Sequence, residues 1–348
     1  MFKKLFSKDN NQDNSPNEEN KNTIAERSPE LVWEFDAGAE IESSPVVSNG
    51  IVYFGCNDGY LYALDISDGQ VRWKFKTDKE IKKSPTIYQD VIYFPSYDGF
   101  LYAVNARTGQ EIWKYETRDC YATSPVFSKN SIFLCINNNI VRLDLKTQQV
   151  TWKYMVGGRL MISPVILDGM AYIPDVQAMH AIDIENSKPI WKYNTGGLTV
   201  SSPTIAQGVI LFGSQLGFLH AVNIYTGKEV WKFKTPNGNV DTTPIVLHGN
   251  VYFGSFNNFL YSIKIILGKE QWKYETGGAV SASPTISDNV IYFGSWDTNI
   301  YALDIRTGKT IWKFKTKNRW SIQTSPAVSD EMVFFVSDIG ILHAVKKD

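Results

Sequence analysis

The residues of this 348-residue chain that are most able to do chemistry are few and scattered. Three cysteines, Cys56, Cys120 and Cys135, form neither a CxxC motif nor an adjacent pair. Their spacing supports neither a zinc site nor a disulfide framework. Cys56 and Cys135 read as one repeat position, filled elsewhere by Ser96, Ser214, Ser255 and Ser295, where a small buried residue is expected. Of the four histidines, His180, His220 and His343 stand where other copies of a repeated pattern carry tyrosine, and His248 lies apart. That spreads them along the chain instead of gathering them around a metal. A flat ring with a polar tip suits a half-buried strand position in either case. Many aspartates sit in Asp-Gly turns such as Asp58-Gly59 and Asp98-Gly99, so none stands out as a general base. No catalytic residue is assigned. What remains are residues that differ from copy to copy: Glu42, Lys82, Tyr121, Arg159, Asp241, Trp296, Trp320 and Gln323. Charges beside aromatics in a concavity anchor a ligand or a peptide; they do not by themselves break bonds.

A tandem repeat positions them. Trp33, Trp73, Trp113, Trp152, Trp191, Trp231, Trp272 and Trp312 are separated by 40, 40, 39, 39, 40, 41 and 40 residues. So regular a period means one supersecondary unit copied in series. In the copy that starts at Ser43, four short apolar runs are parted by the turn signals Asn49-Gly50, Asn57-Asp58-Gly59 and Asp68-Gly69. The runs are Ser43 to Val47, Ile51 to Gly55, Leu61 to Asp65 and Val71 to Phe75. Rich in β-branched and aromatic residues and only four to six long, they read as strands joined by hairpins, with no room for a helix.

The expected fold is all-β: an eight-bladed propeller of four-stranded antiparallel blades. The chain starts with a lone tryptophan strand, Leu31 to Phe35, and finishes after a third strand, Ile341 to Val345. Pairing the two closes the last blade and leaves no raw edge in the ring. Residues 1–29 are polar and expected to be disordered; residues 30–348 form the propeller.

The unit runs Ser-Pro, Tyr-Phe-Gly-Ser, Asp-Gly-x-Leu-Tyr-Ala-Leu-Asp, then Thr-Gly-Lys-x-x-Trp-Lys-Phe. Ser283-Pro284, Tyr292 to Ser295, Tyr301 to Asp304 and Thr307 to Lys309 with Trp312 carry it clearly. This resembles the PQQ-like β-propeller repeat over nearly all of residues 31–348. The resemblance implies that each repeated tryptophan docks between neighbouring blades, its N–H on a carbonyl of the next. It also implies that the segment before each Ser/Thr-Pro step opens the innermost strand near one mouth of the channel.

Such repeats serve quinoprotein dehydrogenases and non-catalytic proteins alike. A dehydrogenase of that kind is expected to carry long inserted loops, a vicinal Cys-Cys pair and acidic and amide groups that hold calcium. Here the copies stay near 40 residues and no Cys-Cys occurs. A non-catalytic binding scaffold without cofactor is therefore expected, with PQQ and calcium in an enzyme as the alternative. A role like that of the outer-membrane assembly lipoprotein of the same eight-blade design is a third reading. No signal peptide and no lipidated cysteine near the N-terminus are apparent, so the cytoplasm is the expected location.

The stretch before each Ser/Thr-Pro step varies most. Three residues before the proline stand Glu42, Lys82, Ala122, Met161, Val200, Asp241, Ser281 and Gln323. Five before it stand Glu40, Glu80, Cys120, Arg159, Leu198, Asn239, Ala279 and Ser321. Period-2 alternation puts both sets on one face, ringing a funnel with mixed charge. Lys and Arg number 35 against 36 Asp and Glu, a net charge of −1 that offers no basic field for nucleic acid. No apolar stretch approaches the roughly 20 residues of a membrane span. The expected partner is a protein segment or small ligand, and the expected state a monomer.

Overall fold

The computed structural model describes residues 27–118, 122–317, 321–337 and 340–347. Their strands form eight four-stranded antiparallel sheets, each a blade. Blades 1 to 7 span residues 46–76, 86–116, 126–155, 165–194, 204–234, 245–275 and 285–315. Blade 8 joins residues 327–346 to the N-terminal strand Leu31–Asp36. In that closure Trp33 lies opposite Ala344 and Phe35 opposite Leu342. Ala63 opposite Trp73 and Ala103 opposite Trp113 show the same register inside single repeats, so the closing strand fits as a fourth strand should. Just before it, the Arg27 and Glu30 carbonyls accept hydrogen bonds from the Lys313 and Lys346 amides.

The innermost strand is shorter than the apolar run suggests. In blade 1 it is Val46–Ser48, not Ser43 to Val47. Pro45 has no N–H to give to a ladder, so regular pairing starts after it.

Blades are tied at the rim by the repeated indoles. Trp33 Nε1 donates to the Ile66 carbonyl at 2.9 Å, Trp73 to Ala106 at 3.0 Å and Trp191 to Ile224 at 2.8 Å. Trp231, Trp272 and Trp312 reach the carbonyls of Ile265, Ile305 and Lys347 in the same way. Beneath Trp33 lies Gly69 at φ +72°, where an added Cβ would come within 2.7 Å of the indole. Both the left-handed conformation and the close ring select glycine there. In blade 4 Ser187 takes the corresponding place, and its hydroxyl accepts from Trp152 Nε1 at 2.9 Å.

Between blades the core is an aromatic trio. Phe75 of blade 1 packs edge-on against Phe94 and Tyr102 of blade 2, which stack on each other at 5.5 Å. His220 and His343 keep the trio by stacking on Phe212 and Phe335. These two histidines are 2% exposed and His180 8%, so the position is buried, not half-buried. The stacked neighbour and the preceding blade together cover the ring.

Cys56 and Cys135 do not share one repeat position. Cys135 pairs with Ile140, whereas Gly55 pairs with Leu61. The blade 3 hairpin is one residue shorter, so Cys135 matches Gly55, and Cys56 matches Ser96, Ser214, Ser255 and Ser295. Both cysteines are buried, as expected.

Candidate functional site: the channel mouth

The Ser/Thr-Pro steps stitch the inner ends of the blades together. The Ser325 amide donates to Ser44 Oγ at 3.0 Å, the Ser44 amide to Ser84 Oγ at 2.9 Å and the Thr243 amide to Ser283 Oγ at 2.8 Å. Ser124 Oγ and Ser163 Oγ donate to the carbonyls of Ser84 and Ser124. Proline fixes φ just after each of these residues, which holds the hydroxyl at its neighbour.

Immediately upstream the chain is not a strand, yet burial still alternates. Ile41, Ile81, Leu160, Val240, Val280 and Ile322 are buried four residues before the proline. The next residue points the other way. Glu42, Lys82, Met161, Val200 and Asp241, from blades 1, 2, 4, 5 and 6, line a cavity of about 360 Å³ at the channel mouth. Serine and threonine hydroxyls of the Ser/Thr-Pro steps form part of its wall.

Of the other expected site residues, Arg159 and Gln323 are exposed and do not line this cavity. Gln323 Nε2 donates to Ser321 Oγ at 3.0 Å. Trp296 is 44% exposed, donates Nε1 to Ser281 Oγ at 2.8 Å and meets Phe256 edge-on at 5.3 Å. None of the described residues five before the proline lines the cavity; the backbones of Glu40 and Glu80 instead accept from the amides of Asn57 and Tyr97. Tyr121 and Trp320 lie outside the described residues.

Glu42 and Lys82 form an ion pair across the blade 1–2 boundary. Burial pushes the Glu42 carboxyl up, but hydrogen bonds from Lys82 and Asn57 outweigh it and hold it below the usual range. The same bond raises Lys82, whose ammonium also sits 5.6 Å from the Tyr97 ring. Asp241 has no such help. Burial alone pushes its carboxyl up to about 6, and its Oδ1 is buried with no hydrogen-bond partner.

The cavity also holds a residue the repeat pattern did not single out: Lys83. Two residues before the proline, five blades carry serine or threonine, and in four of them the hydroxyl accepts an amide from the second strand, whereas Thr324 Oγ1 has no partner. Ser43 Oγ accepts from Gly55, Thr123 from Cys135, Ser201 from Gly213 and Thr242 from Gly254. In blade 2 the second-strand residue is Pro95, which has no N–H to offer. Lys83 replaces the hydroxyl residue there, and its burial lowers the ammonium's pKa, against the pull of Glu42. In blade 4 Pro174 goes with Ile162, which also lines the cavity. Proline in place of glycine was the signal in the sequence.

The remaining titratable clusters are local. His180 Nε2 bonds Asp175 at 2.8 Å, and Tyr62 donates to Asp58 at 2.7 Å from the matching place. Among the described residues no group of three or more His, Cys, Asp or Glu is placed to hold a metal ion. No helix there is long and apolar enough to cross a membrane.

The comparisons place the architecture. The computationally designed protein Ika8 superposes with a TM-score of 0.81 at 18% identity, covering 92% of this chain and all of that one. BamB from Moraxella catarrhalis gives 0.74 at 17% identity, covering 91% and 99%. Quinohemoprotein alcohol dehydrogenase from Comamonas testosteroni gives 0.73 at 14%, covering 91% and 76%. At such identities these likenesses establish the PQQ-like eight-bladed fold alone. A comparison with curated protein sequences gives no match. The family described as the beta-propeller of the beta-alanine-activating enzyme matches residues 20–251, two thirds of the sequence, and the chain belongs to that family.

Proposed function

We propose that this chain is a non-catalytic binding propeller that takes a small ligand, or the tip of a protein segment, at the channel mouth. One observation carries the reading: residues that differ between repeats, Glu42, Lys82, Met161, Val200 and Asp241, come from five blades to line one cavity. Closing a ring of eight similar blades does not call for such differences, whereas recognising an asymmetric ligand does. The volume lies at the lower end of small-molecule sites, about 300–1,000 Å³. The family's name ties such a propeller to an enzyme that activates β-alanine. This chain's part, in our reading, is recognition and not the activation chemistry.

The test is calorimetric titration of small metabolites and short peptides into wild type, Lys82→Ala and Asp241→Ala, with thermal unfolding as a control. A binder that loses tenfold or more in either variant, with unfolding intact, supports the mouth. If every binder holds equally to all three proteins, the mouth is not the site.

The alternative of a PQQ-dependent dehydrogenase needs oxygen donors for calcium near the quinone. The mouth offers carboxylates from Glu42 and Asp241, and Glu42 is already engaged by Lys82 and Asn57. This donor set does not fit a calcium–quinone centre. Adding PQQ with Ca²⁺ is expected to leave cofactor absorbance and dye reduction unchanged; a stoichiometric spectral change would reinstate the enzyme.

A further inference from the structure

We propose that the groove between blades 2 and 3 is a docking site for an acidic segment of a partner protein, which sets an aromatic side chain where blade 3 lacks one. The site is separate from the mouth and does not depend on it.

Blade 3 breaks the aromatic trio. At the third-strand position every other blade carries tyrosine or histidine, as at Tyr62, Tyr102 and His220. In blade 3 that position is Val141, opposite Leu134, whereas Tyr62 lies opposite Phe54. Of the trio only Tyr115, from blade 2, keeps a ring, and it packs against Leu134 and Val141. Two aliphatic side chains in place of two rings leave volume unfilled, and interiors elsewhere close such gaps. Here a groove of about 600 Å³ stays open, with Tyr115, Ile136, Val141 and Val150 as its apolar wall.

Negative charge is missing together with the ring. In blades 1, 2 and 7 the tyrosine donates to a hairpin aspartate: Tyr62 to Asp58 at 2.7 Å, Tyr102 to Asp98 at 2.8 Å and Tyr301 to Asp297 at 2.6 Å. The blade 3 hairpin reads Asn137-Asn138-Asn139 and brings no carboxylate. The lysine opposite is kept. Lys114 lies opposite Tyr102, its ammonium 5.7 Å from that ring, whereas Lys153 at the same place lies opposite Val141. Lys114, Arg118 and Lys153 all line the groove, and among its described lining residues Glu116 is the one carboxylate. Glu116 pairs with Arg118 at 3.4 Å, but both side chains are more than half exposed, so the contact is weak and easily opened.

The two deficits define the occupant: an aromatic side chain flanked by aspartate or glutamate. Its ring fills the space over Val141 beside Tyr115, and its carboxylates meet Lys114, Arg118 and Lys153. It supplies from outside the ring and the carboxylate that other blades carry themselves. Lys114, Glu116, Arg118, Val150 and Lys153 are exposed, so the groove opens along the rim instead of closing around a ligand. Small-molecule sites bury most of their ligand, whereas an open groove suits a chain that lies across it and inserts one anchoring side chain.

The experiment measures, by fluorescence anisotropy, the binding to the full chain of short labelled peptides that set phenylalanine, tyrosine or tryptophan between aspartates or glutamates. At least one is expected to bind, tenfold or more tighter than its versions with alanine for the aromatic residue or amides for the acids. Val141→Tyr, which restores the residue of the other blades, is expected to weaken that peptide tenfold or more while the unfolding midpoint holds or rises. Lys153→Gln, on the exposed wall, is expected to weaken it without touching the core, and Lys153→Arg to retain it. Lys82→Ala and Asp241→Ala, at the mouth, are expected to leave it unchanged. Absence of binding by every peptide at millimolar concentration overturns the proposal, as does binding indifferent to both Val141→Tyr and Lys153→Gln. Phenylpropionate binding as tightly as the peptides would show a small aromatic acid as the ligand and also overturn it. A peptide lost with Lys82→Ala but not with Val141→Tyr would sit at the mouth, overturning this site while keeping the other, so the two failures are told apart.

Discussion

Lys83 stands across from Pro95 at the place where Ser43 accepts a hydrogen bond from the Gly55 amide. The two departures from the repeat compensate each other: a second strand without an N–H faces a side chain that needs none. Replacing both, as Lys83→Ser with Pro95→Gly, is expected to rebuild the ordinary bond. Either single change does not, because a serine facing proline is left without its donor and a glycine amide facing lysine without its acceptor. A buried hydrogen bond contributes about 1 kcal/mol net, and an unmet partner costs about 1–3 kcal/mol. Denaturant unfolding of the four proteins should therefore show a favourable coupling of about 1 kcal/mol or more. Additive effects would mean that the two positions do not exchange this bond.

Asp241 gives the mouth a pH signature. Its carboxyl is raised to about 6 by burial, above its value in an unfolded chain. The folded state thus holds its proton more tightly, and the penalty is absent below about pH 4 and fully present above about pH 6. Asp241→Asn is expected to stabilise the protein at pH 7.5 and to make little difference at pH 4. Since the group is only partly buried, the gain at pH 7.5 is about 1–2 kcal/mol, less than the full shift implies. Urea denaturation of both proteins at the two pH values checks it; an equal difference at both would show that the carboxyl is not perturbed.

Much of the fold was legible in the sequence because repetition is a redundant signal. Eight tryptophans at one spacing, four turn-bounded runs between them, a spare strand at the N-terminal end and a missing one at the C-terminal end leave a closed ring as the simple reading. Parts of the mouth were legible too, through the variable residues before each proline. Lys83 was not, because its role depends on Pro95, twelve residues away and across a strand pair. Cys135 was misaligned for a related reason: a one-residue change in hairpin length is invisible until the register fixes it. Arg159 is exposed in step with Met161, but the segment before the proline is not a strand, so the shared periodicity does not bring it to the cavity.

Gly69 and Gly38 separate two reasons for glycine. Both have φ +72°, but a Cβ at Gly38 meets nothing within 4 Å, whereas one at Gly69 would strike the Trp33 ring. Gly38→Ala is expected to cost about 1 kcal/mol from backbone conformation alone. Gly69→Ala adds displacement of the indole from the Ile66 carbonyl, and should cost about 2 kcal/mol more. Unfolding midpoints of the two variants compare the terms directly, and equal losses would mean that the indole is not held tightly in its groove.

His220 makes the propeller sensitive to acid. Burial lowers its pKa to about 4, Glu229 pulling it upward and Lys232 adding to the decrease. The ring is therefore held neutral against Phe212, while Ser214 and Tyr193 contact its nitrogens. A base whose pKa falls on folding contributes no penalty above about pH 6.5. As pH drops below that, the unfolded chain takes up the proton first, and stability is lost until about pH 4. The loss from this residue amounts to about 3 kcal/mol across that window. His220→Phe keeps a ring on Phe212 and removes the titrating group, so its stability should fall less between pH 7 and pH 4 than that of wild type. His343 is also lowered by burial, although Glu34 opposes the shift, so some acid sensitivity should persist in the single variant. Thermal unfolding of both proteins at half-unit steps of pH reads the difference. Parallel profiles would show that His220 titrates alike in the folded and unfolded chains.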